Sequence, residues 1–177
     1  MMSTKIIIKG YGKDIPKKTI TNHDFIEQGL DTTDEWITSR TGIKKRHVID
    51  ENTNTSNLAI NAAKQALETA RLNANDLDLI IVATSTPDYD GFPSVACQVQ
   101  HGLEANQIPA FDISAACTGF NYALTVASQF IQNNSAKHVL VIGVDALSKI
   151  VDWKDRSTCI LFGDGAGAVI LQVSDQH

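Results

Sequence analysis

No stretch of the 177 residues approaches the roughly 20 consecutive apolar positions that a membrane-spanning helix needs. The amino terminus offers only Ile6-Ile7-Ile8, too short for the apolar core of a secretory signal. A membrane role and secretion are not expected, and a cytoplasmic location is. Cys97, Cys117 and Cys159 show neither paired nor metal-ligand spacing. In a reducing compartment they stand as free thiols, and no metal is expected. The sequons at Asn54 and Asn133 carry no weight without secretion. A basic excess is also missing: 15 Lys and Arg against 20 Asp and Glu leave a net charge of −5, which argues against a nucleic-acid partner. The one basic run, Lys44-Lys45-Arg46, reads as a solvated turn. No low-complexity segment, Gly/Ser linker or internal repeat divides the chain. With 43% apolar and 20% charged residues it reads as one globular domain over 1–177 with a sizeable core.

Strand and helix patterns alternate along that domain. Residues 5–10 are a short β-branched run and predict a strand. Thr32-Thr33-Asp34-Glu35 fits a capping box, with Thr32 as the cap of a short helix through Trp36 that ends before Gly42. Residues 57–71 place Ala59, Ala63, Ala66, Leu67 and Ala70 on one helical face, with Ser56 as N-cap. Residues 79–84 and 138–144 are continuous apolar runs, as in strands buried on both faces. Pro93 opens a helix carrying Val95, Val99 and Leu103. A short strand at 110–113 precedes a helix from about Thr118 to Gln132. Residues 158–162 and 166–173 read as two strands of an antiparallel hairpin. The fold class expected is α/β, with a mixed, mostly parallel sheet and helices on both faces.

The most informative segment is Phe111-Asp112-Ile113-Ser114-Ala115-Ala116-Cys117-Thr118-Gly119-Phe120. A strand ends, small residues turn, and a cysteine stands where a helix starts. Free amides and the dipole at a helix start favour an anion there, which lowers a thiol's pKa and makes it a better nucleophile. A strand–turn–helix with sulfur in place of oxygen has the logic of a nucleophile elbow. Position alone leaves a second reading equally open, a buried cysteine packing as a small hydrophobe. Cys97 and Cys159, inside apolar helix and strand patterns, are given that packing role.

Ser-Ala-Ala-Cys117-Thr-Gly-Phe resembles the active-site signature of the β-ketoacyl-acyl-carrier-protein synthase III family, within the thiolase-fold superfamily. Three further blocks fall in the family's order: Asp31-Thr32-Thr33-Asp34-Glu35-Trp36-Ile37 with Arg40-Thr41-Gly42-Ile43; Gly91-Phe92-Pro93-Ser94 with Cys97-Gln98; and Asp155-Arg156 with Leu161-Phe162-Gly163-Asp164-Gly165-Ala166-Gly167-Ala168. Ser157, where many members have Gly, and Asp88-Tyr89-Asp90 ahead of Gly91 depart from the pattern. The resemblance implies a thiolase-like half-domain. It makes Cys117 the acyl-accepting nucleophile and acyl-CoA, acetyl-CoA in the first instance, the donor substrate rather than a cofactor. It also implies that Trp36 and Arg156 sandwich the adenine of coenzyme A, that Arg40 pairs with phosphate oxygens, and that Thr32 adds a hydroxyl contact. Residue type fits these roles: an indole stacks on a purine, and a planar guanidinium covers a ring or forks onto phosphate. Without the resemblance, Trp36 is a core-edge residue and both arginines make surface ion pairs. Phe92 resembles the aromatic that crosses the family's dimer interface and limits the partner's acyl pocket; core packing is its other reading. Gly163-x-Gly165-x-x-Ala168 is not taken as a dinucleotide fingerprint, because β-formers rather than a helix follow it.

Condensation in this family also uses a His and an Asn from a His-Gln-Ala-Asn type and an Asn-Thr type segment of the carboxy-terminal half. Neither is found here in its family context, and His23, His47, His101, His138 and His177 are taken as non-catalytic. The expectation is therefore an amino-terminal half, either homodimeric or paired with a carboxy-terminal-half chain. Such a half would transfer an acyl group to Cys117 and then condense it with malonyl-acyl-carrier protein to begin fatty-acid synthesis. The alternatives are a fragment that folds and associates without condensing, and a cysteine hydrolase using one of the local histidines.

Overall fold

The computed structural model describes residues 5–105 and 107–174. The strands are β1 (Ile6–Asp14), β2 (Thr19–Thr21), β3 (Lys45–His47), β4 (Leu79–Ala83), β5 (Ala110–Ile113), β6 (Val139–Ala146) and β7 (Asp164–Val173). The helices are α1 (Asn22–Glu27), α2 (Asp34–Thr41), α3 (Thr55–Ala70), α4 (Val95–Gly102) and α5 (Gly119–Gln132). Five strands form one sheet in the order β1-β7-β6-β4-β5, and β2 pairs with β3 in a separate ribbon. β4 is parallel to β5 and β6, while β7 runs antiparallel to β6 and β1. Four strands thus share one direction and β7 alone is reversed, the mixed, mostly parallel α/β sheet that the sequence predicts.

The continuous apolar strands are explained by the two helical layers. Side chains alternate along β4. Ile80 and Val82 pack with Ala59, Ala63 and Ala66 of α3 and Val95 and Val99 of α4. Leu79 and Ile81 pack on the other face with Ala123, Ala127 and Ile131 of α5. Small residues on α3 let it approach closely: a Cβ at Gly12 of β1 would lie 2.2 Å from the Ala62 carbonyl oxygen. A third cluster, outside the sheet, joins Phe25, Ile37, Cys159 and Ile160, with Trp36 and Trp153 partly buried against it.

Several expectations are corrected. Thr33, not Thr32, caps α2: its hydroxyl accepts from the Trp36 amide at 3.0 Å, and Gly42 ends the helix at φ 71°. Asn54 rather than Ser56 stands at the N-cap of α3, with its side chain and that of Asn57 completing a capping box. Residues 158–162 are a run of turns, not a strand. Their apolar character has another cause, since Cys159 and Ile160 plug the third cluster; a short apolar run does not reveal its conformation by periodicity. β7 accordingly pairs with β1 and β6 and not with that segment. Lys44-Lys45-Arg46 is not a solvated turn, because Lys45 and Arg46 lie in β3 and Arg46 is buried.

Candidate active site

Cys117 stands where the sequence places it, past the end of β5 and before α5. Ala116–Thr118 form one tight 3-10 turn that leads into Gly119 of α5. Ala116 adopts a left-handed φ of 47°, a conformation that costs a non-glycine residue about 1–2 kcal/mol. The Thr118 hydroxyl donates to the Ala115 carbonyl at 2.9 Å and closes the turn. The thiol is exposed. It opens onto a cavity of about 270 Å³ lined by Ala83, Phe120, Gly143, Asp145 and Gly163 among others. Ala83 ends β4, and Gly143 and Asp145 lie near the end of β6. The cavity therefore lies outside the carboxyl ends of parallel strands, where open α/β sheets hold their ligands.

Polar side chains brace this cavity. Asp112 of β5 accepts from the Val95 amide (2.8 Å) and the Ala96 amide (2.7 Å), pinning the start of α4 to the strand that leads to Cys117. Burial pushes its carboxyl above the ordinary range against the pull of those two amides. One oxygen of Asp145 accepts from the Ser85 amide (2.7 Å), the Thr86 hydroxyl (2.9 Å) and the Thr84 hydroxyl (3.2 Å), fixing the turn after β4. Asp164 accepts from the Ile49 amide (2.7 Å), the Ser148 amide (2.8 Å) and the Ser148 hydroxyl (2.5 Å). It thereby fixes the wall that Gly163 and Gly165 contribute. The sequence reading gave no role to Asp145 or Asp112. Their one signal is an aspartate inside or ending an apolar strand run.

Trp36, Arg40 and Arg156 come together. The Arg40 guanidinium carbon lies 4.4 Å and that of Arg156 4.6 Å from the Trp36 ring centroid. Arg156 also donates to the Asp31 carbonyl at 2.5 Å and lies 3.6 Å from its carboxylate. The loop beneath Arg156 is tied by Asp155, which accepts from the Ser157 hydroxyl (2.6 Å), the Thr158 hydroxyl (2.7 Å) and the Ser157 amide (2.9 Å). Those bonds hold its carboxyl below the usual carboxylate range. The Thr32 hydroxyl, just ahead of α2, is buried without a hydrogen-bond partner. Phe92 is 90% exposed, so core packing does not account for it. Its loop is clamped from behind: Asp88 accepts from the Thr55 and Ser56 amides at 2.8 and 3.1 Å, at the start of α3.

Cys159 is buried as expected, but Cys97 is exposed. α4 buries Val95, Ala96 and Val99, and Cys97 falls off that face. No described histidine lines the Cys117 cavity. His23 pairs with Glu27, His47 Nδ1 lies 2.7 Å from the Pro16 carbonyl, and His138 Nδ1 lies 2.9 Å from the Asp76 carbonyl. His177 lies outside the described residues. The hydrolase reading, which uses a local histidine, is left without one in the cavity lining among the described residues. No described helix is long and apolar enough to cross a membrane.

A family model for 3-oxoacyl-[acyl-carrier-protein (ACP)] synthase III matches residues 111–177. The β-ketoacyl-[acyl-carrier-protein] synthase III of Coxiella burnetii (strain CbuK_Q154) is 57% identical over 167 residues, covering 93% of this chain and 52% of that protein. That of Neisseria gonorrhoeae (strain NCCP11945) is 56% identical over 170 residues, covering 96% and 52%. The crystal structure of 3-oxoacyl-[acyl-carrier-protein] synthase III from Aquifex aeolicus VF5 superimposes with a TM-score of 0.93 at 54% identity, covering 97% of this chain and 55% of that one. The chain spans about half the length of the curated relatives it matches.

Proposed function

From its place in the β-ketoacyl-[acyl-carrier-protein] synthase III family, to which the chain belongs over about half its relatives' length, we propose that it is the amino-terminal, nucleophile-bearing half of such an enzyme, a single thiolase-like unit. Cys117 attacks the carbonyl carbon of an acyl-CoA thioester, acetyl-CoA in the first instance. A new carbon–sulfur bond forms at Cys117, the bond to coenzyme A breaks, and free coenzyme A leaves with the proton that Cys117 gave up. The acyl-cysteine is then the electrophile for malonyl-acyl-carrier protein. Loss of carbon dioxide supplies the carbanion, which forms a carbon–carbon bond to the acyl carbon as its bond to Cys117 breaks; the β-ketoacyl product leaves on the carrier, and the Cys117 thiolate takes a proton from water. The observation that carries this reading is the exposed Cys117 thiol on a cavity at the carboxyl ends of β4 and β6.

In the same reading, Trp36, Arg40 and Arg156 receive the nucleotide end of coenzyme A. Exposed guanidinium–ring contacts are worth about 0.5–1 kcal/mol each, whereas stacking a base on an aromatic ring is worth about 1–3 kcal/mol. A purine can therefore compete with Arg156 for the Trp36 face and be covered by it, the contacts of Arg156 with Asp31 rearranging as it moves. Arg40 then pairs with phosphate oxygens, and the orphaned Thr32 hydroxyl gains a partner. Phe92 reaches across a homodimer interface to bound the acyl pocket. We place the protein in the cytoplasm, as a homodimer, with a carboxy-terminal half supplying the His and Asn that polarise the thioester. Intact mass measurement after acetyl-CoA treatment tests the reading: Cys117 gains one acetyl group and Cys117→Ser gains none. An unmodified Cys117 under conditions that acylate a full-length relative would refute it.

A second reading is favoured by the half-length match to the curated relatives. By itself the chain folds and associates but does not condense, because the His and Asn lie elsewhere. β-Ketoacyl product formed by this chain in isolation would exclude that.

A further inference from the structure

Arg46 is a cation 3% exposed, and Asn22 beside it is 1% exposed, in a part of the molecule built from short elements. The ribbon they occupy or adjoin has two three-residue strands, marginal in isolation. Burying a guanidinium there carries a desolvation penalty that its partners must offset, so what those partners connect is informative. Arg46 Nε donates to the Ile160 carbonyl at 2.8 Å, and one terminal nitrogen donates to the same oxygen. The other terminal nitrogen donates to the Asn22 side-chain oxygen. The Asn22 amide nitrogen then donates to Asp34 Oδ1 (2.8 Å), the Ile43 carbonyl (2.9 Å) and, more weakly, the Thr38 hydroxyl (3.3 Å). Its backbone amide donates to the Lys44 carbonyl at 3.2 Å. One end of this strut is Ile160, four residues after Arg156. The other end is α2, held at its first residue, its middle and just beyond its last turn, with Trp36 and Arg40 on it. The Phe25 ring lies 5.1 Å below the Arg46 guanidinium and closes the strut from solvent.

We propose that Asn22 and Arg46 are positioning residues that set the gap between Trp36 and Arg156, and so the affinity for the nucleotide end of a coenzyme A thioester, without touching the substrate. This rests on the reading that Trp36 and Arg156 receive that nucleotide. The planar fork of Arg46 is needed because it must reach Ile160 and Asn22 at once; a lysine keeps the charge but is a point donor. Asn22 is needed because it accepts on one side and donates on the other. An aspartate keeps the Arg46 link, loses the donors to α2 and sets a second carboxylate beside Asp34.

The test uses this chain, with two measurements on each variant: coenzyme A affinity by calorimetry, and alkylation of the Cys117 peptide by iodoacetamide, a small neutral reagent with no nucleotide. Arg46→Lys is expected to weaken coenzyme A binding about tenfold while leaving the Cys117 rate within about twofold. Asn22→Asp, whose new charge pairs with Arg46, is expected to do the same and carries the test should Arg46→Lys fail to fold. Unchanged coenzyme A affinity in either folded variant overturns the inference. So does a loss of affinity matched by an equal change in Cys117 alkylation, the mark of a general structural defect. Trp36→Ala separates the two layers: if it leaves coenzyme A affinity unchanged, the nucleotide reading itself falls; if it weakens binding while Arg46→Lys and Asn22→Asp do not, the positioning role alone falls.

Discussion

Replacing Asp164 by alanine is expected to be among the most damaging single changes near the Cys117 cavity. Its carboxylate is 7% exposed and accepts three hydrogen bonds, from the Ile49 amide, the Ser148 amide and the Ser148 hydroxyl. Truncation removes the acceptor and leaves those donors without it in a site with little access to water. Each orphaned buried donor costs about 1–3 kcal/mol, and the three share one carboxylate and do not add fully, so the expected loss is about 3–5 kcal/mol. Against a typical total stability of about 5–15 kcal/mol the variant still folds. Asp164→Asn retains one acceptor but turns an amide N–H toward a donor, with an expected loss of about 2–3 kcal/mol. Urea denaturation gives both values, with the midpoint falling at constant slope. Asp164 also anchors the wall that Gly163 and Gly165 give the cavity, so iodoacetamide alkylation of Cys117 should change in both variants under native conditions. A loss below about 1 kcal/mol for alanine would refute the reasoning, because the buried Ile49 amide alone, left unmet, costs about that much or more, before the two half-buried Ser148 donors are counted.

Gly12→Ala should destabilise by about 1–3 kcal/mol or more, read as a lower Tm, because the new Cβ would sit 2.2 Å from backbone oxygen of α3 and the strand or the helix must move. Asp112→Asn should cost most in acid. Burial raises the carboxyl of Asp112 above its unfolded value, so ionisation opposes folding: its contribution is full below the unfolded value and is lost as pH rises through the folded one. The variant cannot ionise, and its stability deficit relative to the parent should shrink as pH rises from below to above the carboxylate range; a deficit that grows would contradict this. Phe92→Ala should leave Tm within about 1–2 °C, because the ring is 90% exposed. In the proposed dimeric enzyme it should nevertheless widen the range of acyl-CoA chain lengths accepted, and an unchanged range would remove its proposed role.

The parts of the fold legible in the sequence are those where periodicity and burial are the same fact. β4 and β6 carry apolar runs because α3 and α4 cover one face and α5 the other, and a strand covered on both faces needs apolar side chains at successive positions rather than at alternate ones. The turn at Cys117 was legible for a different reason. Small residues followed by a helix pattern mark a sharp strand-to-helix turn, while the nucleophilic role of Cys117 is what the family resemblance implies and the acylation experiment tests. The apolar run at 158–162 misleads because two of its residues, Cys159 and Ile160, serve as a plug for the third cluster, while Leu161 and Phe162 are exposed. Nothing in a short run distinguishes a plug from a strand until its neighbours are known.

The polar residues that brace the site were not legible, and the reason is separation along the chain. Arg46 meets Ile160 across 114 positions, and Asp164 meets the Ile49 amide across 115. In a local window Lys44-Lys45-Arg46 is simply charged, and charged windows read as solvent-facing. Whether the third of those cations is buried depends on whether a carbonyl and an amide oxygen wait for it elsewhere, which composition and spacing do not encode. The same logic separates Arg46 from Arg40 and Arg156, which keep exposed heads against Trp36. The buried Arg46 guanidinium uses all three of its nitrogens on the Ile160 carbonyl and the Asn22 side-chain oxygen, whereas an exposed guanidinium–indole contact is worth only about 0.5–1 kcal/mol. Burial therefore separates the arginines in the way the two proposals require: Arg46 is the one proposed to hold the frame, and the exposed Arg40 and Arg156 are the ones proposed to close on a ligand.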